Sequence, residues 1–149
     1  MGETEKFMAL ALRQAEAAGA RSEIPVGAVL VRESQVIAAT GNRMRELADV
    51  TAHAEVLAIR EGERQFASER LGDCDLYVTL EPCTLCAAAI SFARIRRLYY
   101  GAPDPKGGGV EHGVRFFGAP TCHHAPEVYS GIGETAAADL LRRFFRARR

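Results

Sequence analysis

The chain has 149 residues, 48% hydrophobic and 26% charged, with a formal net charge of zero. That length suits one ordinary globular domain with a real core. No apolar run approaches a membrane span, and Glu3, Glu5 and Lys6 ahead of a short apolar stretch do not read as a signal peptide, which leaves a cytoplasmic protein away from the membrane as the expectation.

Residues 3–18 carry Phe7, Leu10, Ala11, Gln14, Ala15 and Ala18 at i, i+3, i+4 spacing, which predicts an amphipathic helix stopped by Gly19. Residues 26–31 are a short apolar run bounded by Pro25 and Arg32. Residues 36–40 follow a turn at Glu33-Ser34, so the two read as a hairpin. Residues 52–61 read as a helix ending near Gly62, with Thr51 as its N-cap and His53 and Glu55 in its first turn. Residues 76–80 form a buried strand. Pro82 suits a helix start, and Cys83, Cys86, Ile90 and Arg94 then share one helical face. Residues 95–101 read as a strand, and 102–126 as a long loop with a short helix around 114–117. Residues 134–148 form a last helix, with Thr135 or Gly133 near its start and Leu140, Leu141, Phe144 and Phe145 as its apolar stripe. This order predicts a three-layer α/β/α sandwich around a mixed sheet, in one domain spanning residues 1–149.

His53-Ala54-Glu55 and Pro82-Cys83-Thr84-Leu85-Cys86 carry the chemistry. A catalytic zinc uses three protein ligands and leaves its fourth position to water. His53, Cys83 and Cys86 supply the three, which predicts one Zn2+ per chain. Glu55, two residues past the histidine, is spaced to reach the water and not the metal. A lone C-x-x-C is ambiguous. A structural zinc site needs a fourth ligand, yet Cys74, Cys122, His112, His123 and His124 form no second C-x-x-C. A redox pair leaves His53 and Glu55 unexplained. H-x-E followed by P-C-x-x-C is the general signature of zinc nucleobase deaminases. Both cysteines fall in the first turns of a helix, where free N–H groups favour thiolates. Glu55 is then expected to serve first as base and later as acid.

The run Glu23-Ile24-Pro25-Val26-Gly27-Ala28-Val29-Leu30-Val31 resembles the first core hairpin of bacterial tRNA adenosine deaminases. Thr51-Ala52-His53-Ala54-Glu55 and Leu76-Tyr77-Val78-Thr79-Leu80-Glu81-Pro82-Cys83 are similar to that family's two metal segments. The ending, with Phe144, Phe145, Arg146, Arg148 and Arg149, is similar too. The resemblance implies a cytidine-deaminase-like fold, conversion of adenosine to inosine at the wobble position, a tRNA anticodon stem-loop as partner, and a homodimer that completes the RNA groove. It assigns Asn42, Ala54 and Asp104 to the substrate and Lys106, Phe145, Arg146, Arg148 and Arg149 to RNA. Departures are Val50 where the family often has proline, Gly41 before Asn42-Arg43 where it often has an aromatic, the stretch Pro105-Lys106-Gly107-Gly108-Gly109, and Cys122-His123-His124.

Locally, Asn42 reads equally as a positive-φ turn residue, and Asp104 as a turn starter before Pro105. Glu81 reads as an acceptor for a neighbouring helix start. Cys122-His123-His124 reads as a loop lining the anticodon pocket, with a second metal site as the alternative. Cys74 reads as a buried thiol, and Tyr99, Tyr100, Phe116 and Phe117 as core. Of Phe144 and Phe145, one is expected in the core and one against a base. The apolar helix segment 87–90 with Phe92 is an interface candidate. Residues 1–75 carry 9 Lys and Arg against 13 Asp and Glu, a net of −4, while residues 76–149 carry 10 against 6, a net of +4. A basic end suits a phosphate backbone, or is only a solvated helix face. Two other functions compete: a deaminase of free guanine, cytosine or a nucleoside, and a zinc-stabilised RNA-binding module without catalysis. Glu55 argues against the second, and Ala87-Ala88-Ala89-Ile90-Ser91 after the cysteines resembles the tRNA branch more than guanine deaminases.

Overall fold

Alanines and glycines set how closely the first helix can lie on the sheet. In the computed structural model, which describes residues 2–148, α1 (Glu3–Ala20) presents Ala11, Ala15 and Ala18 fully buried toward β1 (Gly27–Arg32) and β2 (Gln35–Gly41). A Cβ on Gly27 would collide with the Ala11 carbonyl oxygen and stand 2.6 Å from the Ala15 nitrogen, so only glycine permits this approach. A short helix α2 (Met44–Leu47), the helix α3 (Ala54–Phe66) and the strand β3 (Cys74–Leu80) follow. The chain continues through α4 (Thr84–Phe92), β4 (Arg97–Ala102), a 3-10 turn at Phe116–Gly118, β5 (Glu127–Tyr129) and α5 (Glu134–Arg146).

The five strands lie in the order β2-β1-β3-β4-β5. β1 pairs antiparallel with β2 and β3, whereas β3–β4 and β4–β5 are parallel, so the sheet is mixed as expected. Side chains alternate across it. Val29, Val31 and Tyr77 meet Phe7 and Met8 of α1 on one face. Leu30, Leu76, Val78 and Leu98 meet Ala58 and Ile59 of α3 and Ala87 and Ile90 of α4 on the other. α5 packs beside α1 against β4, completing the three layers. Tyr77, Tyr99 and Tyr129 stack in sequence across β3, β4 and β5, and Tyr100 is buried, in keeping with core roles for Tyr99 and Tyr100. Phe116 and Phe117 pack, partly buried, against the α3–α4 core. No helix among the described residues is long and apolar enough to cross a membrane.

Several boundaries differ from the sequence expectation. α3 begins at Ala54 with His53 as its N-cap, because the Thr51 N–H and hydroxyl both donate to Asp49 Oδ1 and Thr51 caps nothing. The helix runs past Gly62 to Phe66, since that glycine gives room to Leu30 and Leu71 instead of ending the helix. β5 and α2 carry no hydrophobic period of their own. β5 exists through its pairing with β4, and α2 through the buried Glu23, whose two carboxylate oxygens accept the Arg45 and Glu46 N–H groups at 3.1 and 2.8 Å.

Candidate active site

The end of β2, the start of β1 and the ends of β3 and β4 converge on one rim of the sheet, at the carboxyl ends of its parallel strands, where such folds place ligands. The N-termini of α3 and α4 point at the same spot. His53 is the N-cap of α3 and Cys83 the N-cap of α4, with Cys86 one turn on. Two helix starts thus bring free N–H groups and positive dipole ends to one place.

His53 Nδ1 lies 3.6 Å from Cys83 Sγ and 3.3 Å from Cys86 Sγ, and all three ligand atoms lie within 4.8 Å of one another. A tetrahedral zinc with bonds of ~2.0–2.1 Å to nitrogen and ~2.3 Å to sulfur needs nitrogen–sulfur edges of about 3.6 Å. The donor set and spacing therefore fit a zinc ion held through Nδ1 and two sulfurs. The hydrogen bond with Cys86, against the cost of burial and helped by His53, pulls Cys83 down to about 4, while the same bond and burial push Cys86 upward. The bond to Cys83 raises His53.

Glu55 stands beside this cluster and outside it. It is 4% exposed, and burial pushes its carboxyl up to about 7. With His53, Cys83, Asn42 and Asp104 it lines a cavity of about 200 Å³, whose other walls include Ile24, Val26, Met44, Leu80, Glu81 and Gly107. Drug-sized ligands occupy ~300–1,000 Å³, so this space suits a single small heterocycle.

Asn42 is buried and does not sit in a positive-φ turn. Its Oδ1 accepts the Ala54 N–H at 2.8 Å, and among the described residues its Nδ2 has no hydrogen-bond partner, which leaves that amide to donate into the cavity. Ala54 is fully buried; its N–H is engaged by Asn42 and its carbonyl by the Thr40 hydroxyl, so it orients Asn42. Asp104 Oδ1 accepts the Gly107 N–H at 3.0 Å, and the residue lines the cavity.

Beyond Asp104 the cavity continues into an outer recess of about 480 Å³ walled by Lys106, Pro103, Leu141 and Phe145, which shares Ile24, Leu80, Asp104 and Gly107 with the inner one. Phe145 is 47% exposed, whereas Phe144 is partly buried and packs edge-on against it. Arg146 lines a neighbouring groove with Leu141, Arg142 and Phe145. Arg148 turns back, its guanidinium 3.6 Å over the Phe144 ring, and Arg149 lies outside the described residues.

Cys122-His123-His124 does not line the cavity. The Cys122 thiol and the Ser91 hydroxyl both donate to the His124 carbonyl, at 3.1 and 2.6 Å, and His124 Nε2 meets the Ile95 carbonyl at 2.7 Å. This segment is latched to the far end of α4, and among the described residues His53, Cys83 and Cys86 form the one cluster arranged for a metal. Cys74 is buried, which pushes its thiol up to about 11. Glu81 also differs. It serves the loop after β4 and no helix start. The apolar cavity walls Ile24, Val26, Met44 and Leu80 escaped the sequence, because an apolar residue beside a cavity looks the same as one in a core. Glu23 had a signal, a lone charge at the head of an apolar run.

A family model described as the cytidine and deoxycytidylate deaminase zinc-binding region matches residues 1–102. The tRNA-specific adenosine deaminase of Agrobacterium fabrum is 65% identical over all of this chain and 98% of its own length. A solved structure from work on A-to-I editing by tRNA:A34 deaminases at the wobble position superposes with a TM-score of 0.90 at 66% identity, over 91% of this chain and 99% of that one. A guanine deaminase from Nitrosomonas europaea shares the fold, with a TM-score of 0.80 at 24% identity over 94% of this chain and 83% of its own.

Proposed function

The chain belongs to the cytidine and deoxycytidylate deaminase zinc-binding family, and from that premise we infer that it is a tRNA adenosine deaminase, turning adenosine at the wobble position into inosine and releasing ammonia. The observation that carries the reading is Glu55, a buried carboxylate in a nucleobase-sized cavity next to His53, Cys83 and Cys86 but outside that triad. A non-catalytic zinc module has no use for such a group. The full-length 65% identity to a tRNA-specific enzyme supports RNA over a free base as substrate.

His53, Cys83 and Cys86 would hold one zinc per chain. When bound, the metal supplies Lewis acidity that readies a water for attack near neutral pH. Glu55 accepts the proton of the attacking water and passes it to a ring nitrogen of adenine. The water oxygen bonds to C6; Glu55 then takes the remaining proton from the new C6 hydroxyl and delivers it to the amine, so that the C6–N bond breaks, ammonia leaves and C6 becomes the carbonyl of inosine. Burial of Glu55 keeps bulk water from competing for that proton. Asn42, held through its Oδ1, orients the base with its Nδ2 from the cavity wall. Asp104 stands at the mouth, where a ribose 2′-OH would lie, and such a contact distinguishes RNA from DNA.

The target must leave its stack to reach this cavity. Lys106 and Phe145 around the outer recess would take the adjoining anticodon nucleotides, and Arg146, Arg148 and Arg149 the backbone phosphates. The protein acts in the cytoplasm as a homodimer, paired through α4, where Phe92 is 68% exposed and Leu85, seven residues earlier, is exposed too. The test is an ammonia assay of the zinc-loaded protein with an arginine-tRNA anticodon stem-loop, adenosine, guanine and cytidine. Release from the stem-loop alone is expected. Faster release from guanine or cytidine would overturn the assignment.

A further inference from the structure

One buried carboxylate next to the active site has no part in the chemistry described. Glu81 is 2% exposed and ends the segment that leads β3 into Cys83. Its Oε1 accepts the Asp104 N–H at 3.0 Å and faces His112 Nδ1 at 2.7 Å. Its Oε2 accepts the N–H groups of Val110, Glu111 and His112 at 3.2, 2.9 and 3.1 Å. Four backbone donors and an imidazole from one loop thus converge on one side chain. Among the described residues the loop after β4 forms no helix or strand of its own between Pro103 and His112. Its other ties include Gly108 N–H to Asp104 O, Gly109 N–H to Pro82 O, Phe116 N–H to Gly109 O, the Tyr100 hydroxyl to Glu111, and the packing of Val110 into the core. Gly108 packs against the carboxylate so closely that a Cβ there would overlap Glu81 Oε2 and stand 2.6 Å from Asp104 O. Asp104, at one end of this arrangement, forms the mouth of the cavity.

We propose that Glu81 is a positioning residue that folds the 103–112 loop around its carboxylate, and so fixes Asp104 at the cavity mouth and sets how well the nucleotide is gripped. The physical reason lies in what a loop costs. Ordering ten residues without a ladder requires strong local bonds, and an ionised carboxylate accepting several N–H groups in a buried site is among the strongest acceptors available. Glutamine cannot replace it. One of its ends is an NH2 donor, which would face N–H groups and leave them unsatisfied. The role of Asp104 in gripping RNA rests on the function proposed above, whereas the clamp itself does not.

Two variants and two readouts decide the matter. In zinc-loaded Glu81→Gln, amide exchange at Asp104, Val110, Glu111 and His112 is expected to speed up at least about 10-fold, with the amides of α3 and β3 unchanged. KM for the stem-loop is expected to rise about 10-fold or more, with kcat moving by less than about threefold and zinc content unaltered. Gly108→Ala attacks the same contact from the loop side without altering the segment that carries the cysteines. It should give the same pattern, and the double variant should be no worse than the more severe single one. Unchanged exchange across 103–112 in both variants would overturn the clamp, as would additive effects. A fall in kcat with KM unmoved would overturn the assignment to substrate grip. If the wild-type protein fails to deaminate the stem-loop, the proposed function falls, and the exchange experiment still decides the clamp.

Discussion

The inner cavity and its outer rim are built in opposite ways. The reactive groups of the inner cavity come from two helix starts and from the end of β2, with Cys86, Glu55 and Asn42 buried and held by the sheet beneath. The rim comes from the loop after β4 and the last turns of α5, with Lys106, Phe145, Arg146 and Arg148 exposed at the surface. Chemistry needs atoms fixed to a fraction of an ångström in a dry site, which only a core provides. Grip on a flexible RNA loop needs charge and reach, which a surface provides.

This contrast predicts that inner substitutions strike metal and rate while rim substitutions strike binding. Cys86→Ala should have the largest effect. Its zinc should fall from about one atom per chain to almost none, with loss of activity and of thermal stability, because removing a ligand takes metal-binding free energy out of folding. Full zinc occupancy by elemental analysis would break the site as drawn. Glu55→Ala should come next, keeping zinc and RNA affinity while kcat falls ~10²–10⁴-fold, the usual span for a general acid and base. If zinc is lost with it, Glu55 is a ligand and the division of labour within the inner wall is wrong.

At the rim, Arg146→Ala with Arg148→Ala should leave kcat and zinc alone. Binding of a stem-loop should weaken, and the slope of log Kd against log salt should flatten by about 0.7 for each phosphate no longer neutralised. An unaltered slope would reduce these arginines to a solvated helix face. Arg148 already stacks on Phe144, so the single Arg146→Ala should account for most of the change. The smallest effect belongs to Cys122→Ala. It lies in neither region, and its thiol bonds only the Ser91 and His124 latch at the far end of α4. Stability should fall by about 1 kcal/mol or less, as for one modest hydrogen bond, with zinc content unchanged. A loss of zinc there would mean that both ends of α4 matter to the metal.

Much of the inner wall was legible in the chain itself, for a physical reason. Ligands on helices are tied to local spacing. C-x-x-C on a helix brings two sulfurs to one face, and H-x-E puts a carboxylate past a ligand, so the cysteine–histidine cluster and Glu55 could be read from two short segments. The alternation of the strands and the alanine period of α1 also belong to local sequence. The misplaced boundaries have one origin. Thr51 and Gly62 carry strong local signals for a helix start and a helix end, yet Asp49 captures the threonine, and Leu30 and Leu71 need the glycine in mid-helix.

The sequence by itself determined the triad, the reserved carboxylate and the order of the longer helices and strands, because each depends on residues a few positions apart. Tertiary structure alone decided what depended on distant partners. It made β5 a strand through β4 and gave α2 its donors' acceptor in Glu23. It engaged Ala54 with Asn42 and latched Cys122 and His124 to α4. It turned Glu81 toward a loop some 23 to 31 residues downstream. Cysteine, histidine and glutamate are the same residues in each setting. Whether they hold a metal, a loop or a helix start depends on which donors and acceptors the fold brings within about 3 Å of them.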